Sequence, residues 1–284
     1  MAISVLGPLR VTVAGRLVSL PAKQRTLLAI LAFQANRSVS SDRLVKAIWG
    51  QDAAPSVTKT LQSHVFQLRR ALASADDLED ETLRIITDGD GYRLAVDPAA
   101  IDAHVFPGLL EAAARAGPAD PRCAVDLLVQ ALAMWRGPGG IDVGDDPAAL
   151  AEIQLLEQLR VTAQDDVARL RLALGEHEAV IPDLRRAIAE APYHEQLWAS
   201  LMIALARSGS RTEALVAYRD AQRALRRELD IEPGPQLQAL AASIRDGSTG
   251  PVAPFVGRST SAPDSPSAPG PAISALRDAE FPAC

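Results

Sequence analysis

Ser56-Val57-Thr58-Lys59-Thr60-Leu61-Gln62-Ser63-His64-Val65-Phe66-Gln67-Leu68-Arg69-Arg70-Ala71-Leu72 carries two messages on one period. Val57, Leu61, Val65, Leu68 and Leu72 follow one another at intervals of four, four, three and four residues, which makes one continuous apolar face of a helix capped by Ser56. At about 100° per residue, Lys59, Ser63, Phe66 and Arg70 fall centrally on the opposite face. Gln62 and Gln67 flank them, and Thr60 and Arg69 lie towards the margins. No Asp or Glu interrupts that outer face. It is long, cationic, rich in hydrogen-bonding groups, and centred on a phenylalanine.

The flanks of this segment read as parts of one small domain. Downstream, Leu83-Arg84-Ile85-Ile86-Thr87, the turn Asp88-Gly89-Asp90-Gly91, and Tyr92-Arg93-Leu94-Ala95-Val96 predict a β-hairpin. An acidic loop, 76–81, separates it from the helix. Upstream, Ser40 or Ser41 caps a helix running to Trp49 and closed by Gly50. On it Arg43 and Lys46 are expected to be exposed. Before that, Leu27, Leu28, Leu31 and Ala32 mark a helix that opens after Pro21 and ends at Asn36. Residues 3–21 alternate and turn at Ala14-Gly15, as short antiparallel strands do. Strands, three helices and a C-terminal hairpin within the first 100 residues describe a winged helix. Its third helix suits the major groove of double-stranded DNA: Lys59 and Arg70 for phosphate or guanine, Gln62 and Gln67 for bidentate pairing with adenine, and Phe66 for a thymine methyl. The supporting helix offers Arg43 and Trp49, the latter equally readable as core. The wing offers Arg84 and Arg93 beside an acidic tip. Charge distribution agrees with this assignment. The whole chain is −6, yet residues 1–75 hold ten Lys or Arg against two acids.

Beyond Asp102 the pattern is helical throughout, with segments near 103–116, 120–135, 146–174, 177–191, 194–207, 211–229 and 234–246 divided by Gly or Pro. Ala179 and Ala214 align at an offset of 35 residues, close to the tetratricopeptide period, and Ala214-x3-Tyr218-x2-Ala221 fits the second helix of such a repeat. A generic antiparallel helix array fits the same residues. Residues 247–284 hold seven prolines amid Ser, Ala and Gly and are expected to be disordered.

Other functions find little support. His194-Glu195 would begin a zinc-protease motif, but Trp198 stands where the second histidine is needed. There is no Gly-x-Gly-x-x-Gly, no Gly-x-Ser-x-Gly and no phosphate-binding Gly-x4-Gly-Lys. The four histidines and two cysteines have no metal-ligand spacing, so neither catalysis nor a cofactor nor a metal is expected. Trp135 and Trp198 read as core residues, with a ligand groove as the alternative. No apolar run is long enough to span a bilayer and no signal peptide is visible, so the expected place is the cytoplasm, without a membrane partner.

Specific motifs run through this frame. They begin with Pro21-Ala22-Lys23-Gln24-Arg25-Thr26-Leu27-Leu28-Ala29, Ala35-Asn36-Arg37-Ser38-Val39-Ser40-Ser41-Asp42-Arg43-Leu44-Val45 and Ala47-Ile48-Trp49-Gly50. Leu61-Gln62-Ser63-His64-Val65, Leu68-Arg69-Arg70-Ala71-Leu72 and Gly91-Tyr92 extend them. Ala133-x-Trp135-Arg136-Gly137-Pro138, Glu213-Ala214-Leu215-x-Ala217-Tyr218 and Glu228-Leu229-x-Ile231-x-Pro233-Gly234-Pro235 complete them. Together they resemble the actinobacterial antibiotic regulatory protein family of transcriptional activators over residues 3–246.

The resemblance implies a mainly α chain: an α+β, OmpR-type winged helix-turn-helix at 1–100, then an all-α, tetratricopeptide-like bacterial transcriptional activation domain at 101–246. It implies binding to tandem direct repeats beside a promoter, which would accommodate a homodimer. It also implies recruitment of RNA polymerase holoenzyme through sigma-factor and alpha-subunit surfaces, and activation of a secondary-metabolite gene cluster. A repressor or a ligand-responsive regulator with the same DNA-binding domain is the alternative. Arg25, in the basic run Lys23-Gln24-Arg25 that follows Pro21, joins Lys59, Thr60, Gln62, Ser63, Phe66, Gln67, Arg69, Arg70, Arg43, Trp49, Arg84 and Arg93 as an expected DNA contact.

Overall fold

The computed structural model describes residues 2–54, 56–73 and 83–247. The expected acidic loop at 76–81 and the tail from 248 on lie outside them. Three short strands come first, β1 (Ala2–Ser4), β2 (Arg10–Val13) and β3 (Arg16–Val18), in an antiparallel sheet ordered β1-β2-β3. Ile3 faces Val11 and Val11 faces Val18, so one apolar row lines the inner side. Helices α1 (Ala22–Phe33), α2 (Ser41–Trp49) and α3 (Val57–Ala73) follow, and the hairpin β5 (Leu83–Asp88) and β6 (Gly91–Val96) closes the winged helix. A further strand, β4 (Ser38–Ser40), pairs with β6 to give a second sheet ordered β4-β6-β5. Pattern reading misses β4 because three residues are too few to show alternation. What holds it is Asn36, in the left-handed region at φ 63°, whose amide bonds both the N–H and the carbonyl of Val96 on β6. Gly91 is required where β6 passes β4: a Cβ there would lie 2.2 Å from the Val39 carbonyl oxygen.

The rest is helical: α4 (Asp102–Ala116), α5 (Pro121–Ala133), α6 (Pro147–Ala173), α7 (Ile181–Glu190), α8 (Glu195–Arg207), α9 (Arg211–Leu229) and α10 (Pro235–Asp246). These match the expected segments except α7, which starts four residues later than the expected 177. Pro182 sits in its first turn, and a residue without an N–H opens a helix more readily than it continues one. Ala179 therefore lies in a turn while Ala214 lies buried inside α9, so the two are not equivalent repeat positions. No helix among the described residues is long and apolar enough to cross a membrane.

The chain divides into two compact units. The second contains Ala112–Val129 and the described residues from Arg160 on, and α7 to α10 form its core around Leu197, Trp198, Met202, Ala214 and Leu237. Trp198 donates its indole N–H to the Pro192 carbonyl at 2.8 Å, as a core tryptophan must.

The first unit contains the winged helix up to Glu111 together with Gln130–Leu159. The loop between α5 and α6 is built into it by polar contacts. Asp146 is completely buried; its two oxygens take Nε and an Nη of Arg43 on α2 at 2.6 Å each, and one of them also accepts from the Ala149 N–H to cap α6. Asp142 takes Nε of Arg25 at 2.9 Å and the Leu9 N–H at 2.7 Å. Gly144, at φ 59°, lets this loop lie against α2, where a Cβ would stand 2.4 Å from the Ala47 carbonyl oxygen. Asp102 accepts from the N–H groups of Val5, Leu6 and Ala103, and burial still pushes its carboxyl above the usual range. Trp135 meets Phe106 edge-on at 5.6 Å.

Burial alone would raise the Asp146 carboxyl, but hydrogen bonds from Arg43 and Ala149 and the Arg43 charge outweigh it, and its pKa is lowered. Removing Arg43 strands a buried carboxylate. Because Arg43 keeps 30% exposure of its side chain, Arg43→Ala should cost about 2–3 kcal/mol, below the range for a fully buried pair. A lowered folded pKa means that the pair contributes fully above the ordinary carboxylate value of 3.8 and is lost as pH falls through the lowered one. Urea titrations of both proteins should therefore differ by this amount at neutral pH and converge on strong acidification.

Candidate nucleic-acid interface

Helix α3 divides between core and solvent along its period. Leu61, Val65, Leu68 and Leu72 are buried, the first three at 1% exposure or less. Lys59, Thr60, Gln62, Ser63, Phe66, Gln67 and Arg70 are all exposed, and Phe66 keeps 66% of its surface open. The Ser63 hydroxyl donates to the Lys59 carbonyl at 3.2 Å, a local bond that leaves its lone pairs outward. Thr58, one turn from Gln62 and also exposed, is an addition that the expected set omitted. The result is a four-turn surface free of acid, with a cation near each end and an aromatic ring between them.

The remaining expected contacts are arranged differently. Arg43, expected to be exposed, is half-buried and held by Asp146, and Arg25 is held by Asp142. The partners lie over a hundred residues away, so no local pattern announces them. Arg69 turns towards the hairpin: its Nε donates to the Ile85 carbonyl at 2.8 Å and an Nη to Thr87 Oγ1 at 3.0 Å, tying α3 to β5. On the wing Arg93 stands 3.4 Å from Asp88, and Arg84 is exposed on β5. The acidic tip thus draws in Arg93.

Trp49 is half-buried at the end of α2. It lies 5.7 Å from the His64 ring on α3, and Lys23 Nζ stands 4.6 Å above it. Burial, and then the Lys23 charge, lower the His64 pKa, so its ring is neutral near pH 7. Gln24, on the first turn of α1, is only 5% exposed, and its Nε2 donates to Gln67 Oε1 at 2.9 Å. Nothing in the sequence marks this glutamine as more than one polar residue in a basic run.

With this geometry in view, residues 101–245 match the family model for the bacterial transcriptional activator domain, and residues 15–94 match that for the transcriptional regulatory protein, C terminal. The transcriptional regulator RedD of Streptomyces coelicolor is 34% identical over 245 residues, covering 85% of this chain and 69% of RedD. The regulatory protein DnrI of Streptomyces peucetius is 35% identical over 254 residues, covering 86% and 92%. A solved structure of Mycobacterium tuberculosis EmbR, in complex with a low-affinity phosphopeptide, superposes with a TM-score of 0.78 at 31% identity. It covers 88% of this chain and 66% of that one.

The two faces of α3 should separate in mutagenesis. Leu61→Ala should cost about 2–5 kcal/mol, because Leu61 is fully buried. Phe66→Ala should stay within about 0.5 kcal/mol of the parent, because that ring packs on little. Chemical denaturation checks both, and a large loss for Phe66→Ala would mean that the ring is part of a core.

Proposed function

The chain belongs to the actinobacterial antibiotic regulatory protein family of transcriptional regulators, and from that premise we propose that it binds promoter DNA through α3 and activates transcription through residues 101–246. The observation carrying this reading is the outer face of α3, where Lys59, Gln62, Ser63, Phe66 and Arg70 stand open with no carboxylate among them. A helix of that composition and length fits the major groove. Lys59 and Arg70 reach phosphate or guanine, and Phe66 meets a thymine methyl. Arg84 supplies a contact from the wing, whereas Arg25, Arg43 and Arg69 chiefly hold the domain together.

Residues 1–100 are the DNA-binding part of this proposal. Binding to tandem direct repeats brings two copies side by side. Residues 101–246 then contact sigma-factor and alpha-subunit surfaces of RNA polymerase holoenzyme in the cytoplasm. The regulated genes are those of a secondary-metabolite cluster. Relatives with the same two family matches and names such as transcriptional regulator support the regulatory part.

Mobility-shift titrations at graded salt test the interface. Lys59→Ala and Arg70→Ala should each weaken binding and reduce the slope of log affinity against log salt by about one unit. Unchanged binding by both variants would sink the assignment of α3. Footprinting and in vitro transcription with polymerase test the outcome: protection upstream of the promoter with more transcript supports activation, and protection across the start site with less transcript means repression.

A further inference from the structure

Gln67 stands on the outer face of α3, yet its side chain is not free to choose its orientation. Gln24 lies beneath it on α1, buried to 5% exposure, and its Nε2 donates to Gln67 Oε1 at 2.9 Å. A buried amide strongly prefers a partner, and this contact supplies one. The acceptor end of Gln67 is therefore occupied from below. Its Nε2, with two N–H donors, is left to face outward.

We propose that Gln24 is a positioning residue for base recognition, converting Gln67 from an adenine reader into a donor-only reader of acceptor-bearing base edges. The inference rests on α3 lying in the major groove. A free glutamine pairs with adenine through both ends, its oxygen accepting from N6 and its nitrogen donating to N7. With its carbonyl turned towards Gln24 and one lone pair taken there, the oxygen is no longer aimed at the adenine N6 donor. Guanine, with N7 and O6 side by side as acceptors, suits a pair of outward donors best. Cytosine, which presents its N4 donor, suits them least. Among the described residues no side chain takes the outward N–H groups of Gln67, and Arg70, carrying donors only, cannot take them. Holding the amide in place before binding also lowers the ordering cost on contact.

Gln24→Glu and Gln24→Met make opposite demands. Glutamate accepts only, so Gln67 must turn its Nε2 inward and present Oε1 to the groove. Methionine fills a similar volume and releases Gln67 altogether. Full-length parent, Gln24→Glu, Gln24→Met and Gln67→Ala would each be used to select duplexes from a randomised pool, followed by sequencing and titration of the selected sites. Thermal melts would accompany them.

The parent should show one base pair at which guanine leads and which loses its preference in Gln67→Ala. At that pair, Gln24→Met should move preference towards adenine, and Gln24→Glu towards cytosine or adenine, by about tenfold in the ratio to guanine. A purely structural role for Gln24 would weaken binding to all sequences alike and leave the ratios intact. Unchanged ratios in both Gln24 variants, with the preference lost in Gln67→Ala, would overturn the positioning role alone. A flat parent selection would overturn the groove-lying assignment of α3 and the inference with it.

Discussion

A carboxylate with no exposed surface has to be satisfied from every side, and Asp146 is the point on which the winged-helix unit turns. One oxygen takes Nε of Arg43; the other takes a second nitrogen of Arg43 and the Ala149 N–H. The same group therefore fixes the start of α6 and the flank of α2. Helix α2 in turn supports α3 through Trp49 and His64. The orientation of the outward face of α3 thus depends on a residue 73 positions downstream of its last residue. Asp142 repeats the device on a smaller scale with Arg25 and the Leu9 N–H. Two aspartates and a glycine in one loop make that loop part of the unit around the winged helix.

This arrangement changes how the basic charge of the N-terminal region should be counted. Ten cations in 75 residues look like a broad electrostatic footprint. Arg25 and Arg43 are paired with aspartates, Lys46 pairs with Asp42, Arg69 bonds the hairpin, and Lys23 stacks on Trp49. Lys59 and Arg70 stand on the face of α3 itself. Arg10, Arg16 and Arg37 are exposed elsewhere on the domain, so the open footprint is narrower than the count of ten suggests, with two of its cations aligned along α3. The second unit shows the same economy: Arg171 meets Asp183, Arg185 meets Glu213 and Arg226 meets Glu232. Its acidic excess is a net balance over a surface laced with pairs.

Periodic elements were legible in the sequence because their signal is local. The apolar row of α3, the hairpin and six of the seven downstream helices follow from spacing and punctuation alone. The exposed Phe66 was legible too, since the phase of the apolar row fixes which residues stand opposite it. Strand β4 was not, because a three-residue strand has no period and owes its place to the Asn36 amide. Spacing places the start of α7 too early because the helix opens with Pro182 in its first turn, a start that punctuation by Gly and hydrophobic residues does not mark. The pairing of Arg25 and Arg43 was hidden for another reason. Sequence distance conceals ion pairs, and an arginine awaiting phosphate looks the same as one awaiting an aspartate. Gln24 was hidden twice over, being one polar residue in a basic run and buried by contacts that no local pattern shows.

The outer face of α3 is hard to explain as a merely solvated surface. An exposed helix with no partner usually mixes both signs of charge, which supports it through pairs one turn apart. Here no acid among the described residues offsets Lys59 or Arg70, and a phenylalanine keeps two-thirds of its surface in water between them. Neither feature helps the isolated domain: the cations gain no intrahelical partner and the ring gains no burial. Both become favourable against a surface that is anionic at its rim and apolar or hydrogen-bonding at its centre. Phosphates flanking a groove with thymine methyls and base edges have that character. The bond from Gln24 adds to the contrast. A solvated glutamine has no need of a buried partner to set its direction, whereas one that must meet a particular base edge does.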